Sequence, residues 1–206
     1  MKGSCVENEE WKLARLGKIT ASRISDMLAL GKGTSRANYI AELAASRLSG
    51  KPHRNDFTST AILHGVEFEP MARIKYELRN GVMVEGDGKQ FTNHPSIKMA
   101  GCSCDGLVGD EGLFEAKCPN TKTYLEYYLS GEIPRQYRLQ MTWQLACTRR
   151  LWCDFVAFDP DMPEEYGFLQ IRFTPTQEEI EKMEFEVIKF DLEVEALIQK
   201  IKEMRL

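Results

Sequence analysis

The sequence predicts an α/β domain in which a central mixed β-sheet is flanked by helices. Three observations lead to it. Helical periodicity fills the first third and the last part of the chain, while the middle breaks into short runs divided by Gly, Asp, Asn and Pro. Leu151–Phe158 is a continuous apolar run of the kind found at a sheet centre. With 206 residues, 43% of them hydrophobic, the chain can bury a sizeable core, and no repeat or linker divides it, so residues 1–206 are read as one domain.

Trp11–Ile19 opens the fold. Thr20-Ala21-Ser22 reads as a cap before a helix over Ser22–Ala29, which Gly31-Lys32-Gly33 ends. Asn38–Leu48 is a second helix, with apolar Ile40, Leu43, Ala44 and Leu48. In a third, Thr58–Arg79, Ile62, Val66, Glu69, Arg73 and Tyr76 fall on one face, and Pro70 should kink it by removing the bond to the Val66 carbonyl. Gly81–Phe91, Ile97–Val108 and Gly112–Cys118 read as strands, Tyr124–Leu129 and Gln136–Cys147 as helices, and Phe168–Phe173 as a further strand. The last helix, about 176–205, has the clearest period: Ile180, Met183, Val187, Phe190, Val194, Leu197, Ile201 and Met204 alternate steps of three and four. It is read as a long helix lying on its own core rather than a coiled coil.

Composition narrows the function classes. No stretch approaches the roughly 18 apolar residues of a membrane span. Six cysteines with no apolar leader at the N-terminus point to a reducing cytoplasm. The net charge of −4 is unevenly spread. Residues 1–60 carry ten Lys/Arg against six Asp/Glu, and residues 161–206 carry six against twelve, so the N-terminal third is the part suited to face phosphate.

The chemistry concentrates between residues 102 and 118. Cys102–Val108, Gly109-Asp110-Glu111 and Gly112–Lys117 have the form of a hairpin with a three-residue loop. If Val108 closes against Gly112, Asp105 stands opposite Glu115, with Cβ atoms about 4.5–5.5 Å apart. Two such carboxylates repel unless a cation lies between them, and oxygen-only ligands suit Mg²⁺ or Mn²⁺. Alternation along the strand puts Lys117 on the Glu115 face, where an amine can orient a water while the metal polarises a phosphate oxygen. Glu69, on a helical face with apolar Ile62 and Val66, would be costly there unless paired or metal-bound, whereas Glu67 points elsewhere. Gln140 and Gln144, one helical turn apart, can each reach a phosphate or a metal-bound water.

In combination, Ala14–Ser22, Gly65 with Glu69-Pro70, Cys102–Leu107, Glu115–Pro119 and Tyr137 with Gln140 resemble the phage lambda exonuclease family, the YqaJ-like viral recombinases, over about residues 11–161. The resemblance implies a restriction-endonuclease-like PD-(D/E)xK core and a nuclease that digests double-stranded DNA from the 5′ end, leaving a 3′ strand for an annealing protein in a bacterial host. It implies that Asp105, Glu115 and the Ala116 carbonyl hold the metals, two per site, that Lys117 is the catalytic lysine and that Glu69 supports a second metal or its water. Arg15 and Ser22 would contact the 5′-phosphate. It also implies a ring, a homotrimer, in which threading of the product strand gives processivity. The exposed side of the last helix and apolar positions near Phe57 are the candidate ring contacts. Two departures stand out: the family's Gln-x-Gln is Gln140-Met141-Thr142 here, leaving Gln140 or Gln144 as the functional glutamine, and the proline before the motif aspartate is Cys104.

Other residues are set aside. Cys102, Cys104 and Cys118 lack zinc or iron–sulfur spacing and are read as buried thiols. His53, His64 and His94 take surface or cap roles, and Tyr124, Tyr127, Tyr128, Tyr137 and Trp143 are read as core. An endonuclease on the same scaffold and an end-binding module that no longer cuts are the rival functions, the second disfavoured by the intact set Glu69, Asp105, Glu115 and Lys117.

Overall fold

The computed structural model describes residues 9–29, 33–52 and 60–204. Its helices are α1 (Glu9–Arg15), α2 (Ile24–Met27), α3 (Ser35–Ser49), α4 (Thr60–Asn80), α5 (Thr121–Ser130), α6 (Arg135–Thr148) and α7 (Gln177–Glu203). Its strands are β1 (Ile19–Thr20), β2 (Val84–Glu85), β3 (Thr92–Asn93), β4 (Ala100–Cys102), β5 (Gly106–Val108), β6 (Gly112–Lys117), β7 (Trp152–Phe158) and β8 (Phe168–Phe173). The Gly31-Lys32 helix end, Cys5, His53 and the patch near Phe57 lie outside the described residues, as does the side chain of Ile62.

The main sheet runs β2-β5-β6-β7-β8 and is mixed, as the sequence predicts. β5 and β6 form the expected hairpin, with Val108 opposite Gly112, Leu107 opposite Leu113 and Gly106 opposite Phe114. Gly109, at φ +52°, takes the left-handed conformation that its short loop needs. β6 and β7 are parallel, which demands a crossover, and α5 and α6 provide it. Asn120 caps α5 by accepting the Thr123 N–H at 3.0 Å, and Gly131 ends it in the left-handed region.

A second sheet, β1-β4-β3, was not foreseen as such. The stretch read as one strand over Ile97–Val108 is two: β4 belongs to the small sheet and β5 to the large one, with residues 103–105 between them. Glycine permits the close approaches on either side. A Cβ on Gly101 would sit 2.5 Å from the Thr92 carbonyl oxygen, and one on Gly106 would sit 2.1 Å from Val84 Cγ1. Thr20 also departs from its expected role. It is a strand residue whose side chain makes no capping bond, and the next helix begins as a 3₁₀ turn over Ala21–Arg23.

α7 lies on its own core, capped by a reciprocal Thr176–Glu179 box. It buries Met183, Val187, Phe190, Val194 and Ile198 against Tyr39 and Leu43 of α3 and Met27 of α2. The buried stripe ends on Ile198; Ile201 is partly exposed and Met204 fully so, because a straight helix drifts about 20° per heptad from a 3.5-residue seam. Arg47 ties α3 to both neighbours, donating to the Gly17 carbonyl at 2.8 Å and pairing with Asp191 at 2.6 Å and Glu195 at 2.7 Å.

α4 continues through Pro70 as one helix. Its buried stripe is Phe68, Ala72 and Tyr76 rather than the face containing Val66, which is 55% exposed. At about 100° per residue, Glu69 therefore sits at the edge of the sheet-facing side, not at its centre. Tyr76 donates to Asp154, a wholly buried acid on β7 that also accepts two bonds from Arg172 at 2.8 Å. This knot fastens α4 to the sheet. Asp154→Ala would strand the buried Tyr76 hydroxyl, and urea unfolding should show a loss of about 2–4 kcal/mol.

Candidate active site

The site forms where the two sheets meet. Asp105 follows the bend after β4, Glu115 and Lys117 alternate on β6, and α6 crosses behind them. Together with Trp11, Arg15, Thr20, Ala21, Ser22, Gly88, Ser103 and Gln140 they line a cleft of ≈ 250 Å³. A larger groove of ≈ 670 Å³ between α6 and α7 contains none of the predicted site residues.

The hairpin register stops one pair short of the acids. Asp105 lies just beyond the Gly106–Phe114 pair, and its Oδ2 turns inward to accept the Ala116 N–H at 2.9 Å. Glu115 is fully buried and heavily solvated by protein donors. Its Oε1 accepts from Lys117 and, at 2.5 Å, from Gln140, while its Oε2 accepts from Gln144 at 2.7 Å. Both candidate glutamines therefore reach the same carboxylate. Gln140 is on the cleft wall, and Gln144 is buried behind it.

Electrostatics shows how strained this collection of charge is. Burial, then the Glu115 and Glu69 carboxylates, push the Asp105 carboxyl up to about 8. Burial likewise raises Glu69, with Lys117 opposing and Glu115 adding to the effect, so Glu69 is in electrostatic reach of the cleft although it is not on its wall. Burial works against the charge on Lys117, but the pull of Glu115 and Asp105 exceeds it and the pKa is raised. The lysine is thus a firm ammonium, with its Nζ also 5.3 Å from the centre of the Tyr137 ring.

Among the described residues, no three His, Cys, Asp or Glu side chains are gathered as a ready-made cation cage, and Glu115 is engaged by Lys117 and two amides. The donor set nevertheless fits a hard divalent ion. Asp105 and Glu115 share one cleft with Lys117, Asp105 accepts one hydrogen bond, from the Ala116 N–H, and carboxylate oxygens are the donors such an ion takes.

The mouth of the cleft is built by the N-terminal segment. Arg15 lies over the Trp11 ring at 4.1 Å, and Trp11 Nε1 donates to Ser103 Oγ at 2.9 Å, which ties α1 to the segment carrying Asp105. Ser22 is exposed at the rim. Trp11, Ser103 and Gly88 were not singled out in the sequence, although Trp11 and Arg15 at i and i+4 carried the signal.

The remaining readings can be placed. Cys102, Cys118, Cys147 and Cys153 are buried free thiols, and Cys104 packs against two apolar clusters. His64 meets the Cys118 carbonyl at 3.0 Å. His94 is not at the surface. It stacks on Trp143, bonds Glu184 at 3.0 Å and accepts the Ser96 and Ile97 N–H groups, and burial lowers its pKa. Tyr124 and Trp143 are fully buried, while Tyr127 and Tyr137 pack on Phe155.

Comparison with known proteins agrees with this geometry. The model of the YqaJ-like viral recombinase domain matches residues 10–150. The chain is similar to the crystal structure of an alkaline exonuclease, LHK-Exo, from Laribacter hongkongensis, with 41% identity over 96% of this chain and 98% of that one and a TM-score of 0.88. A structure of LHK-Exo in complex with dAMP matches at 41% identity over the same shares of the two chains, with a TM-score of 0.89. A phage-related exonuclease from Haemophilus somnus 129PT shares the fold, at 15% identity over 89% of this chain and 96% of that one, with a TM-score of 0.66. No curated protein matches.

The raised Asp105 pKa has a consequence for stability. A carboxyl whose folded pKa of about 8 exceeds its ordinary 3.8 contributes stability that is complete below the lower value and lost as the pH rises through the upper one. Metal-free Asp105→Asn should therefore be more stable than the wild type at about pH 9, by on the order of 1–3 kcal/mol. The gap should close as the pH falls toward 4, and calorimetric melting in chelator would show both.

Proposed function

Because the chain belongs to the YqaJ-like viral recombinase family, we propose that it is a Mg²⁺- or Mn²⁺-dependent exonuclease that digests linear double-stranded DNA from the 5′ end and leaves 3′ strands for an annealing protein. One observation carries the reading. Asp105, Glu115 and Lys117 share a single cleft with Arg15, so a cation site, an ammonium and a phosphate-binding guanidinium face the same small volume.

Asp105, Glu115 and the Ala116 carbonyl would hold one ion, and Glu69 would support a second. Bound there, the metal supplies Lewis-acid polarisation of the scissile phosphate and a water of lowered pKa. The protein's own groups do the rest. Lys117, held as an ammonium by Glu115 and Asp105, donates a hydrogen bond that orients the attacking oxygen and is not itself the base. Gln140, on the wall, can exchange its bond to Glu115 for one to a phosphate oxygen. Arg15, with its planar fork lying over Trp11, grips the 5′-phosphate at the mouth, and the Ser22 hydroxyl adds a donor at the rim.

The active species is a ring, a homotrimer. Two separate apolar stripes support this. α4 exposes Leu63, Met71, Ile74 and Leu78 on one side, and α7 exposes Phe185, Ile188 and Leu192. A heterologous contact that closes on itself needs two such different patches per chain.

Digestion of end-labelled duplex tests the chemistry. The wild type with Mg²⁺ should release 5′ label from linear DNA and leave a closed circle intact, Lys117→Ala should be slower by at least about a hundredfold, and Arg15→Ala should slow phosphorylated ends more than dephosphorylated ones. Rapid cutting of the closed circle would identify an endonuclease instead. For the ring, light scattering should give about three times the 23.6 kDa chain mass, and Ile188→Glu with Leu192→Glu should lower it. A monomer that digests processively would overturn it.

A further inference from the structure

We propose that Gln144 is a positioning residue that staples together the two segments bearing the metal-binding carboxylates. Its single amide nitrogen donates to Glu115 Oε2 on β6 at 2.7 Å and to the Ser103 carbonyl, two residues before Asp105, at 3.2 Å. No ladder hydrogen bond links these segments at that level, because the β5–β6 pairing ends at Gly106 and Phe114. One residue earlier on α6, Trp143 Nε1 donates to the Gly101 carbonyl at 3.1 Å. The helix therefore clamps the strand-to-strand bend at 101 and 103 and the Glu115 side chain with one rigid turn.

The two glutamines divide the labour. Gln140 lies on the cleft wall and binds the same Oε1 that Lys117 holds, so it can leave when substrate arrives. Gln144 is 1% exposed and cannot reach the cleft without unpacking α6. It is held through its amide nitrogen, whose two bonds tie the strand bend at Ser103 to the Glu115 side chain. Fixing Oε2 from behind leaves Oε1, held by Lys117 and Gln140, as the oxygen of Glu115 on the side of the cleft-wall glutamine.

This inference rests on Glu115 being a metal ligand, and Mn²⁺ titration of the wild type by calorimetry tests that premise separately. If the wild type binds no Mn²⁺, the metal reading fails. If it binds, Gln144→Leu should bind Mn²⁺ at least tenfold more weakly, as is usual when a partner of a metal ligand is removed. Its melting temperature should fall by no more than a few degrees, because leucine keeps the packing of α6 and Glu115 retains its Lys117 and Gln140 donors. Excess Mn²⁺ should restore most of the digestion rate, with the KM for DNA unchanged. Unchanged Mn²⁺ affinity in Gln144→Leu would overturn the proposal. Should that variant fail to fold, the wild type with Mg²⁺ decides: the Gln144 side-chain amide hydrogens should exchange with solvent far more slowly than those of Gln140, and equal exchange would overturn it.

Discussion

Carboxylates crowded in a place with little water are the constraint on which the rest of this structure depends. Glu115 has no exposed surface, Asp105 is raised toward neutrality by burial and by its neighbours, and Glu69 adds a third negative group. Such a group stands only if donors and cations surround it, and the chain sends four elements to do so. β6 provides Lys117 and the Ala116 N–H, α6 provides two amides, and α1 and the turn after β1 close the mouth. A parallel β6–β7 pair with a helical crossover is what brings α6 back across the end of β6.

Asp154 shows what a buried acid looks like when its role is purely structural. It sits one strand away, is wholly buried, and is saturated by Tyr76, Gln170 and both donors of Arg172. Asp105 has one backbone N–H. The two aspartates thus differ both in exposure, Asp105 lying part-exposed on the cleft wall and Asp154 wholly buried, and in how much of their hydrogen-bonding capacity the fold uses.

Much of this was legible because it is written in local pattern. The β5–β6 register followed from the loop length, α7 from its period, the nearness of Asp105 to Glu115 from the hairpin pairing and that of Lys117 from strand alternation. What was not legible is set by distant partners. β1, β3 and β4 have two or three residues each, too few for a pattern, and exist because they pair with one another. The face of α4 was misjudged because apolar Val66 and Leu63 look outward as well as inward-facing Phe68, so periodicity offered two stripes. The different placements of Gln140, on the cleft wall, and Gln144, buried behind it, depend on which side of α6 meets the strand bend, and spacing carries no information about that.

The bond from Trp11 to Ser103 joins residues 92 apart in sequence, and Glu115 meets Gln144 across 29 more. Contacts of such long range form late, once loop closure between remote segments has been overcome. During synthesis the chain emerges N-terminus first, so α1 and the basic segment must wait for β6, and β6 for α6, before the acids have their donors. A growing chain consequently holds the parts of a nuclease without the nuclease, and the capacity to cut nucleic acid arrives only when most of the domain has been made.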